Sequence, residues 1–151
     1  GVVGPVSTGP GPRRVGLEAR MLTPNIVVRG ADATEPVGGA DVADATVRCL
    51  LRCVPAAVPG IAFLSGGQSP VAASTRLNAI HTRFAGKLPW AVTFSFARAI
   101  QQPALDLWKG QEVNVAAAQR ALLKRARCNH LARRGLYSAA TETEITTKTG
   151  T

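Results

Sequence analysis

Residues 60–70 read GIAFLSGGQSP, an apolar run followed by a glycine pair and a helix-start signal. The four consecutive apolar residues 61–64 are typical of a short strand that is buried on both faces. Ser69 and Pro70 predict a helix start, because serine caps free amide groups and proline suits the first helical position. We expect this helix to run to about Thr82. The segment therefore predicts a strand, a glycine-rich loop and a helix.

The same alternation extends toward the N-terminus. Residues 17–28 are apolar and broken by Pro24, which predicts a buried strand that runs into a loop. Residues 41–53 place apolar side chains at helical spacing, and Pro55 ends that pattern. This part of the chain thus predicts a second strand and a second helix.

Toward the C-terminus the alternation continues. Residues 90–96 are apolar, β-branched and aromatic, as in a strand, and residues 97–108 turn helical. A last long helix is expected over residues 115–133, capped by Asn114 and ended by Gly135. The order of strand and helix, repeated three times, is typical of parallel α/β folds.

Three strands cannot close a barrel, because a complete (β/α)8 or TIM barrel needs eight strands and about 250 residues. The fold class is therefore α/β, a partial TIM barrel of about three βα units with a long C-terminal helix. In such folds functional residues lie just past the carboxyl ends of the strands. Here those places are residues 23–25, 65–68 and 96–98.

Composition divides the chain into three parts and limits its environment. Residues 1–16 are rich in Gly and Pro and are expected to be irregular, as a linker or the remnant of a transit peptide. Residues 17–137 form the barrel-type segment, and the Thr-rich residues 138–151 are expected to be a flexible tail. The longest apolar run, residues 54–64, is interrupted by Pro and Gly and too short to cross a bilayer. We expect no membrane association and a cytoplasmic location, with an organellar one left open.

Cysteines and histidines show no catalytic or metal-binding pattern. Cys49, Cys53 and Cys128 make an odd count without metal-ligand spacing, so we expect a reducing compartment and no bound metal. Cys49 and Cys53 share a helix face and are interpreted as reduced core residues rather than a redox pair. His81 and His130 have no acid partner in sequence and are interpreted as ordinary helix or surface residues.

The net charge of +9 could indicate affinity for nucleic acid. The basic residues are mostly scattered, however, and the dense run over residues 124–134 lies on an amphipathic helix. A solvated helix face explains such a run. Nucleic acid is therefore not expected as a partner, whereas a positive field would also suit an anionic small-molecule substrate.

Three segments carry a family resemblance. Residues 22–27, LTPNIV, resemble the sixth barrel strand of class I fructose-bisphosphate aldolases, which reads LKPNMV in the family. Residues 60–69 resemble the seventh strand with its phosphate loop, and residues 89–99, PWAVTFSFARA, resemble the eighth strand, PWALTFSYGRA. The resemblance covers about residues 17–137. It implies a glycolytic lyase that cleaves fructose 1,6-bisphosphate to dihydroxyacetone phosphate and glyceraldehyde 3-phosphate without a cofactor.

The resemblance also implies that the catalytic lysine is absent. In the family this lysine forms a Schiff base with the substrate ketone, and its position falls on Thr23. A threonine hydroxyl forms no iminium and offers no cationic nitrogen to stabilise the carbanion. The family's acid and base carboxylates lie on strands that this chain does not contain. We therefore expect no turnover by this chain alone.

A phosphate site is implied by the same comparison. Ser65, Gly66 and Gly67 match the family's phosphate loop, where a hydroxyl and backbone amides approach the anion. Arg98 supplies a guanidinium suited to phosphate. Ala97 stands where the family has a glycine whose amide contacts phosphate. The alanine side chain narrows the space through which a phosphate reaches that amide. The expected ligand is a sugar bisphosphate.

Three interpretations stay open. The chain is part of a glycolytic lyase, or a non-catalytic aldolase-derived structural or binding subunit of a larger assembly, or a sequence artefact in which one base change turned lysine into threonine. An open sheet edge predicts a partner, either the missing barrel half or another protein, and an oligomer.

Overall fold

The computed structural model describes residues 16–28 and 38–148. The segment 1–15, expected to be irregular, and residues 149–151 lie outside the described residues. Within the described part no helix is both long and apolar enough to cross a membrane.

A parallel three-stranded sheet forms the centre of the described fold. Its strands are β1 (Met21–Leu22), β2 (Gly60–Phe63) and β3 (Ala91–Phe94), in the order β1-β2-β3. Gly60 is in register with Met21 on one side and with Ala91 on the other. The predicted parallel α/β arrangement is confirmed, and the central strand lies within residues 60–64, as expected.

The first strand is much shorter than residues 17–28. Leu17–Ala19 is a 3-10 helix, and only Met21–Leu22 pairs as a strand, with Met21 66% exposed. After Pro24 the chain pairs once more, in a single bridge between Asn25 and Leu64. An edge strand has one pairing partner and one open side, so Pro24 can interrupt it without breaking the sheet.

Within residues 16–28 and 38–148, five α-helices accompany the sheet: α1 (Gly39–Cys53), α2 (Pro70–Arg83), α3 (Ala97–Trp108), α4 (Val115–Ala132) and α5 (Ala139–Lys148). Consecutive helices pack side by side from α1 to α3, and α4 packs against both α2 and α3. A short 3-10 helix, Glu112–Asn114, leads into α4. The four predicted helices are present within a few residues of their expected ends.

Helix ends follow the predicted capping chemistry at two of three places. Ser69 Oγ accepts a hydrogen bond from Ala72 N at 3.2 Å, as expected for the cap of α2. Gly135, at φ 70°, ends α4 in a left-handed conformation that glycine adopts without strain. The expected side-chain cap at Asn114 is wrong: its Nδ2 donates instead to Trp108 O at 3.2 Å. The preceding 3-10 turn runs directly into α4, so Asn114 already has helical backbone angles.

The hydrophobic core lies between the sheet and its helices. Every residue of β2 is buried, as expected for a central parallel strand. Trp90 is also buried, and its Nε1 donates to Pro55 O at 2.9 Å, which ties the end of α1 to the start of β3. The largest fully buried apolar side chains are Phe63, Phe96, Ile26, Ile61, Leu77, Ile80 and Val47.

The cysteines of α1 are not core residues, contrary to our interpretation. Cys49 is exposed and Cys53 is half-buried, and only Cys128, on α4, is fully buried. The buried side of α1 is formed by Val42, Ala43, Thr46, Val47 and Leu50. Cys49 lies beside that face and not on it, so helical spacing placed both cysteines together but did not place them inside.

The basic run of α4 is not uniformly solvated. Arg125 is only 4% exposed, and its guanidinium donates to Glu142 Oε1, to Pro70 O at 3.1 Å and to Ser74 Oγ at 2.8 Å. Ser74 Oγ in turn donates to Asn129 Oδ1 at 2.7 Å. Arg125 therefore joins α2, α4 and α5 through one buried polar cluster.

The segment from residue 138, expected to be a flexible tail, contains the helix α5. Glu142 anchors it: besides Arg125, Tyr137 Oη donates to its carboxylate at 2.8 Å, and Cys128 Sγ at 3.4 Å. Burial raises the pKa of Tyr137 to about 12 and that of Cys128 to about 11. Burial alone would raise the pKa of Glu142, but the Tyr137 hydrogen bond and the Arg125 charge outweigh it and lower that pKa.

We predict that Glu142→Gln weakens the docking of α5. The amide cannot offer a charged acceptor to the buried Arg125, and losing a hydrogen bond to a charged group costs roughly 1.5–3 kcal/mol. Denaturant unfolding should show a lower free energy of unfolding, and hydrogen exchange should speed up in α5. Thr143→Ala, which changes an exposed residue of the same helix, is the control. Equal exchange rates in both variants would contradict the anchoring role of Glu142.

A second prediction concerns His81, which sequence patterning had assigned to an ordinary helix position. Its Nε2 is buried and has no hydrogen-bond partner in the described part of the chain, and burial together with the Arg133 charge lowers its pKa. The unfolded chain takes up this proton near pH 6.5, while the folded chain does so at lower pH. Stability should therefore fall as the pH drops below about 6.5. His81→Gln should remove this part of the pH dependence, and His130→Gln should not.

Candidate functional site

The carboxyl ends of the three strands meet at one edge of the sheet. Pairing continues past the strands, because Leu64 N donates to Pro24 O at 2.9 Å and Ser95 N donates to Phe63 O at 2.7 Å. Parallel strands in register direct the loops that follow them toward the same side. The predicted site residues after β1, β2 and β3 are thereby brought to one edge.

A tight glycine turn follows β2. Gln68 N donates to Ser65 O at 2.9 Å, and the two central residues, Gly66 and Gly67, have φ of 54° and 81°. Two positive φ angles in succession define a type I′ turn, which glycine adopts without strain. Ser65 is buried, so the turn starts from a fixed position at the end of the strand.

The two glycines of the turn differ in their surroundings. A Cβ at Gly66 would lie 2.7 Å from Asn25 Oδ1, whereas a Cβ at Gly67 would meet nothing within 4 Å. Gly66 is therefore held against the loop after β1, while Gly67 faces open space. Asn25 lies within residues 23–25, one of the places where functional residues were expected, but its contact with this turn was not predicted.

Gln68 fixes the far side of the turn. Its Oε1 accepts a hydrogen bond from Arg76 NH1, on α2, at 2.7 Å. With Ser69 capping the same helix, the loop is joined to α2 through both a side chain and the backbone. The backbone amides of the turn are thus held on rigid elements.

Ala97 and Arg98 form the first turn of α3 and are both exposed. Phe96, at the N-cap, provides no side-chain cap, so the amide groups of this turn have no side-chain acceptor there. Phe96 itself is buried, and its ring centroid lies 5.6 Å from that of Phe94. An apolar ring, without a hydroxyl to satisfy, suits that buried position.

Arg98 lacks the protein partners that two other arginines of the fold have. Within residues 16–28 and 38–148, no hydrogen bond or ion pair engages its guanidinium, whereas Arg83 is paired with Asp44 at 2.6 Å and Arg125 is buried against Glu142. Its five donors are therefore available to an anion at the edge of the sheet.

Thr23 is exposed and directly follows β1. The three segments that meet at this edge, residues 21–28, 60–69 and 89–98, contain no lysine. Lys87 precedes β3 and Lys109 follows α3, which places both toward the opposite end of the sheet. Lys124 is on α4, with its Nζ 3.4 Å from Glu142 Oε1.

The same three segments contain no Asp, Glu or His. Among the described residues, these three segments offer hydroxyls, backbone amides and one guanidinium, a set that binds anions but includes no group suited to proton transfer near neutral pH. In the described part of the chain, no group of three or more His, Cys, Asp or Glu side chains is placed to hold a metal ion.

Comparisons with known proteins give a consistent result. The profile of the family described as "Glycolytic: Fructose-bisphosphate aldolase class-I" matches residues 11–150. The chain is 52% identical over 124 residues to fructose-bisphosphate aldolase, cytoplasmic isozyme 2, of Pisum sativum, covering 82% of this chain and 34% of that protein. It is 50% identical over 128 residues to fructose-bisphosphate aldolase B of Gallus gallus, covering 85% of this chain and 35% of that protein.

A solved structure agrees with these matches. Fructose-bisphosphate aldolase from Plasmodium falciparum, in complex with TRAP and a small-molecule inhibitor, is similar with a TM-score of 0.76 and 47% identity, over 82% of this chain and 35% of that one. The chain thus spans about a third of the length of the relatives that it matches. The likeness confirms the expected fold class, a part of a TIM barrel. On the matched profile and these relatives, the chain belongs to the class I fructose-bisphosphate aldolase family.

Proposed function

We propose that this chain is a phosphate-binding segment of an aldolase-type barrel, able to bind a sugar bisphosphate but unable by itself to cleave it. The observation that carries the proposal is the shared sheet edge, where the glycine turn after β2 lies next to the strand that leads to Arg98. Loops after neighbouring barrel strands, together with a helix N-terminus, commonly form phosphate sites.

The phosphate site consists of two parts with different roles. Ser65, Gly66 and Gly67 supply a hydroxyl and closely approachable amides from a turn that is already fixed. Ala97 and Arg98 supply the uncapped first turn of α3 and a guanidinium without a protein partner in the described chain. Because the turn and the helix are rigid, binding costs little ordering of the backbone.

The proposed reaction of the complete protein is the cleavage of fructose 1,6-bisphosphate to dihydroxyacetone phosphate and glyceraldehyde 3-phosphate. This chain lacks the means for it. Thr23 replaces the lysine that would form the Schiff base, and the strand–loop segments contain no acid or base. These two features also support the second candidate, a non-catalytic aldolase-derived structural or binding subunit of a larger assembly.

The proposed partners of the chain follow from the incomplete sheet. β1 and β3 are the outer strands of the described sheet, so the missing barrel half or a protein partner would continue the sheet from them, and an oligomer is expected. A cytoplasmic location is proposed from relatives such as the pea cytoplasmic isozyme, and a chloroplastic relative from Chlamydomonas reinhardtii keeps an organellar location in consideration.

We predict that Arg98→Ala weakens the binding of fructose 1,6-bisphosphate at least about tenfold. The reason is that removing one hydrogen-bonding charged partner of phosphate costs roughly 1.5–3 kcal/mol. Isothermal titration calorimetry of the whole chain measures the change. Arg120→Ala removes the same charge from an exposed position on α4 and should leave the affinity nearly unchanged. An equal loss in both variants would show that only overall charge matters.

We also predict that the purified chain does not cleave fructose 1,6-bisphosphate in a coupled assay. Borohydride should trap no substrate adduct on the chain, because Thr23 cannot form the required iminium. Mass spectrometry after borohydride treatment checks the second point independently of the assay. Turnover that borohydride abolishes would disprove the proposed inactivity. It would not contradict the proposed phosphate site.

A further inference from the structure

Two free thiols lie on the surface at the end of α1. Cys49 is exposed and Cys53, the last residue of the helix, is half-buried. Residues four apart on a helix are neighbours on one face. The two thiols therefore form a surface pair, which none of the aldolase chemistry uses. The third cysteine, Cys128, is buried under α5 and separate from them.

The geometry of a regular helix disfavours a disulfide between Cys49 and Cys53. Side chains four residues apart have Cβ atoms about 5–6 Å from each other. A disulfide requires a Cβ separation of about 3.5–4.5 Å and a sulfur–sulfur bond of about 2.0 Å. Forming it would require the last turn of α1 to open.

The end of α1 is held against such opening. Val54 N donates to Leu50 O at 2.8 Å, which closes the last turn. Pro55 O then accepts the Trp90 Nε1 hydrogen bond, from a tryptophan that is itself buried. Opening the last turn of α1 would break the Val54–Leu50 hydrogen bond next to this connection between α1 and β3, so we take the intact helix as the form in which the two thiols are presented.

A bridging cation fits the same spacing without any change of the helix. Taking the zinc–thiolate distance of about 2.3 Å as a guide, two collinear metal–sulfur bonds place the sulfur atoms at most about 4.6 Å apart. That separation is more than twice a sulfur–sulfur bond and lies close to the separation of the Cβ atoms. We propose that Cys49 and Cys53 bind a soft, two-coordinate cation, Cu(I).

The donor set selects this class of metal. Thiolate ligands favour soft cations such as Cu(I), and a two-coordinate ion needs no further ligand. A structural zinc site needs four, and in the described part of the chain no cluster of three or more His, Cys, Asp or Glu side chains exists. Asp44, on the same helix, is already paired with Arg83.

The surrounding charge suits the complex that forms. Each thiol releases its proton on binding, and two thiolates with one Cu(I) carry a net charge of −1. Arg52 lies in the last turn of α1, three residues from Cys49, and makes no ion pair with any carboxylate of the described residues. Its positive charge offsets that of the complex and the negative end of the helix.

The test is an anaerobic titration of the whole reduced chain with Cu(I), in competition with a chromophoric Cu(I) chelator. We expect one tightly bound Cu(I) per chain. Cys49→Ser and Cys53→Ser should each weaken binding at least about tenfold, since one thiolate is lost. Cys128→Ser, which removes a buried thiol, should leave the affinity and the stoichiometry unchanged. Circular dichroism of each variant verifies that α1 remains helical.

Two further measurements separate the proposal from its competitors. X-ray absorption should show two sulfur neighbours around each copper, and sedimentation should show no copper-dependent association. Binding that survives either single substitution at Cys49 or Cys53, or one copper shared by two chains, would overturn the proposal. Rapid formation of a Cys49–Cys53 disulfide under mild peroxide would likewise overturn the geometric argument. None of these outcomes depends on the phosphate site.

Discussion

Parallel pairing of the central strand β2 with both of its neighbours is the constraint on which the described structure depends. Each residue of Gly60–Phe63 is buried, so its amide and carbonyl groups must find partners in β1 and β3. A slip by one residue would turn Ile61 and Phe63 away from the helices that cover them. The pairing therefore fixes the sheet and, through it, the relative positions of the loops after β1, β2 and β3.

Two arginines of this chain, Arg125 and Arg98, have opposite roles. Arg125 is withdrawn from water, and its hydrogen bonds to α2 and to Glu142 make it part of the framework. Arg98 projects from the first turn of α3, without a protein partner in the described residues. Leaving an arginine unpaired next to a rigid turn costs little while it is solvated, and it leaves the guanidinium ready for an anion. The same residue type thus serves stability in one case and the proposed binding site in the other.

Local chemistry explains which expectations succeeded. Ser69, Pro70 and Gly135 act through a few neighbouring backbone atoms, so their effect on helix ends could be inferred directly. The helix over residues 97–108 was likewise predicted with its observed ends. Where the outcome depends on distant contacts, prediction failed: residues 17–28 were expected to be a strand, but at an edge of the sheet only Met21–Leu22 pairs fully. The helix α5 depends on contacts with Arg125 and Tyr137, and the residues of α5 alone do not indicate those contacts.

The sequence by itself determined the order of strands and helices, the glycine turn and the family, because each is a matter of residue type and spacing. Only the tertiary structure decided which side chains of a helix are buried. It placed Arg125 inside and Cys49 outside, although periodicity suggested the reverse for both. It also brought Asn25 against Gly66, across a long separation in the chain. The burial of a side chain depends on its contacts with several elements that are distant in sequence, and a local sequence pattern does not show those contacts.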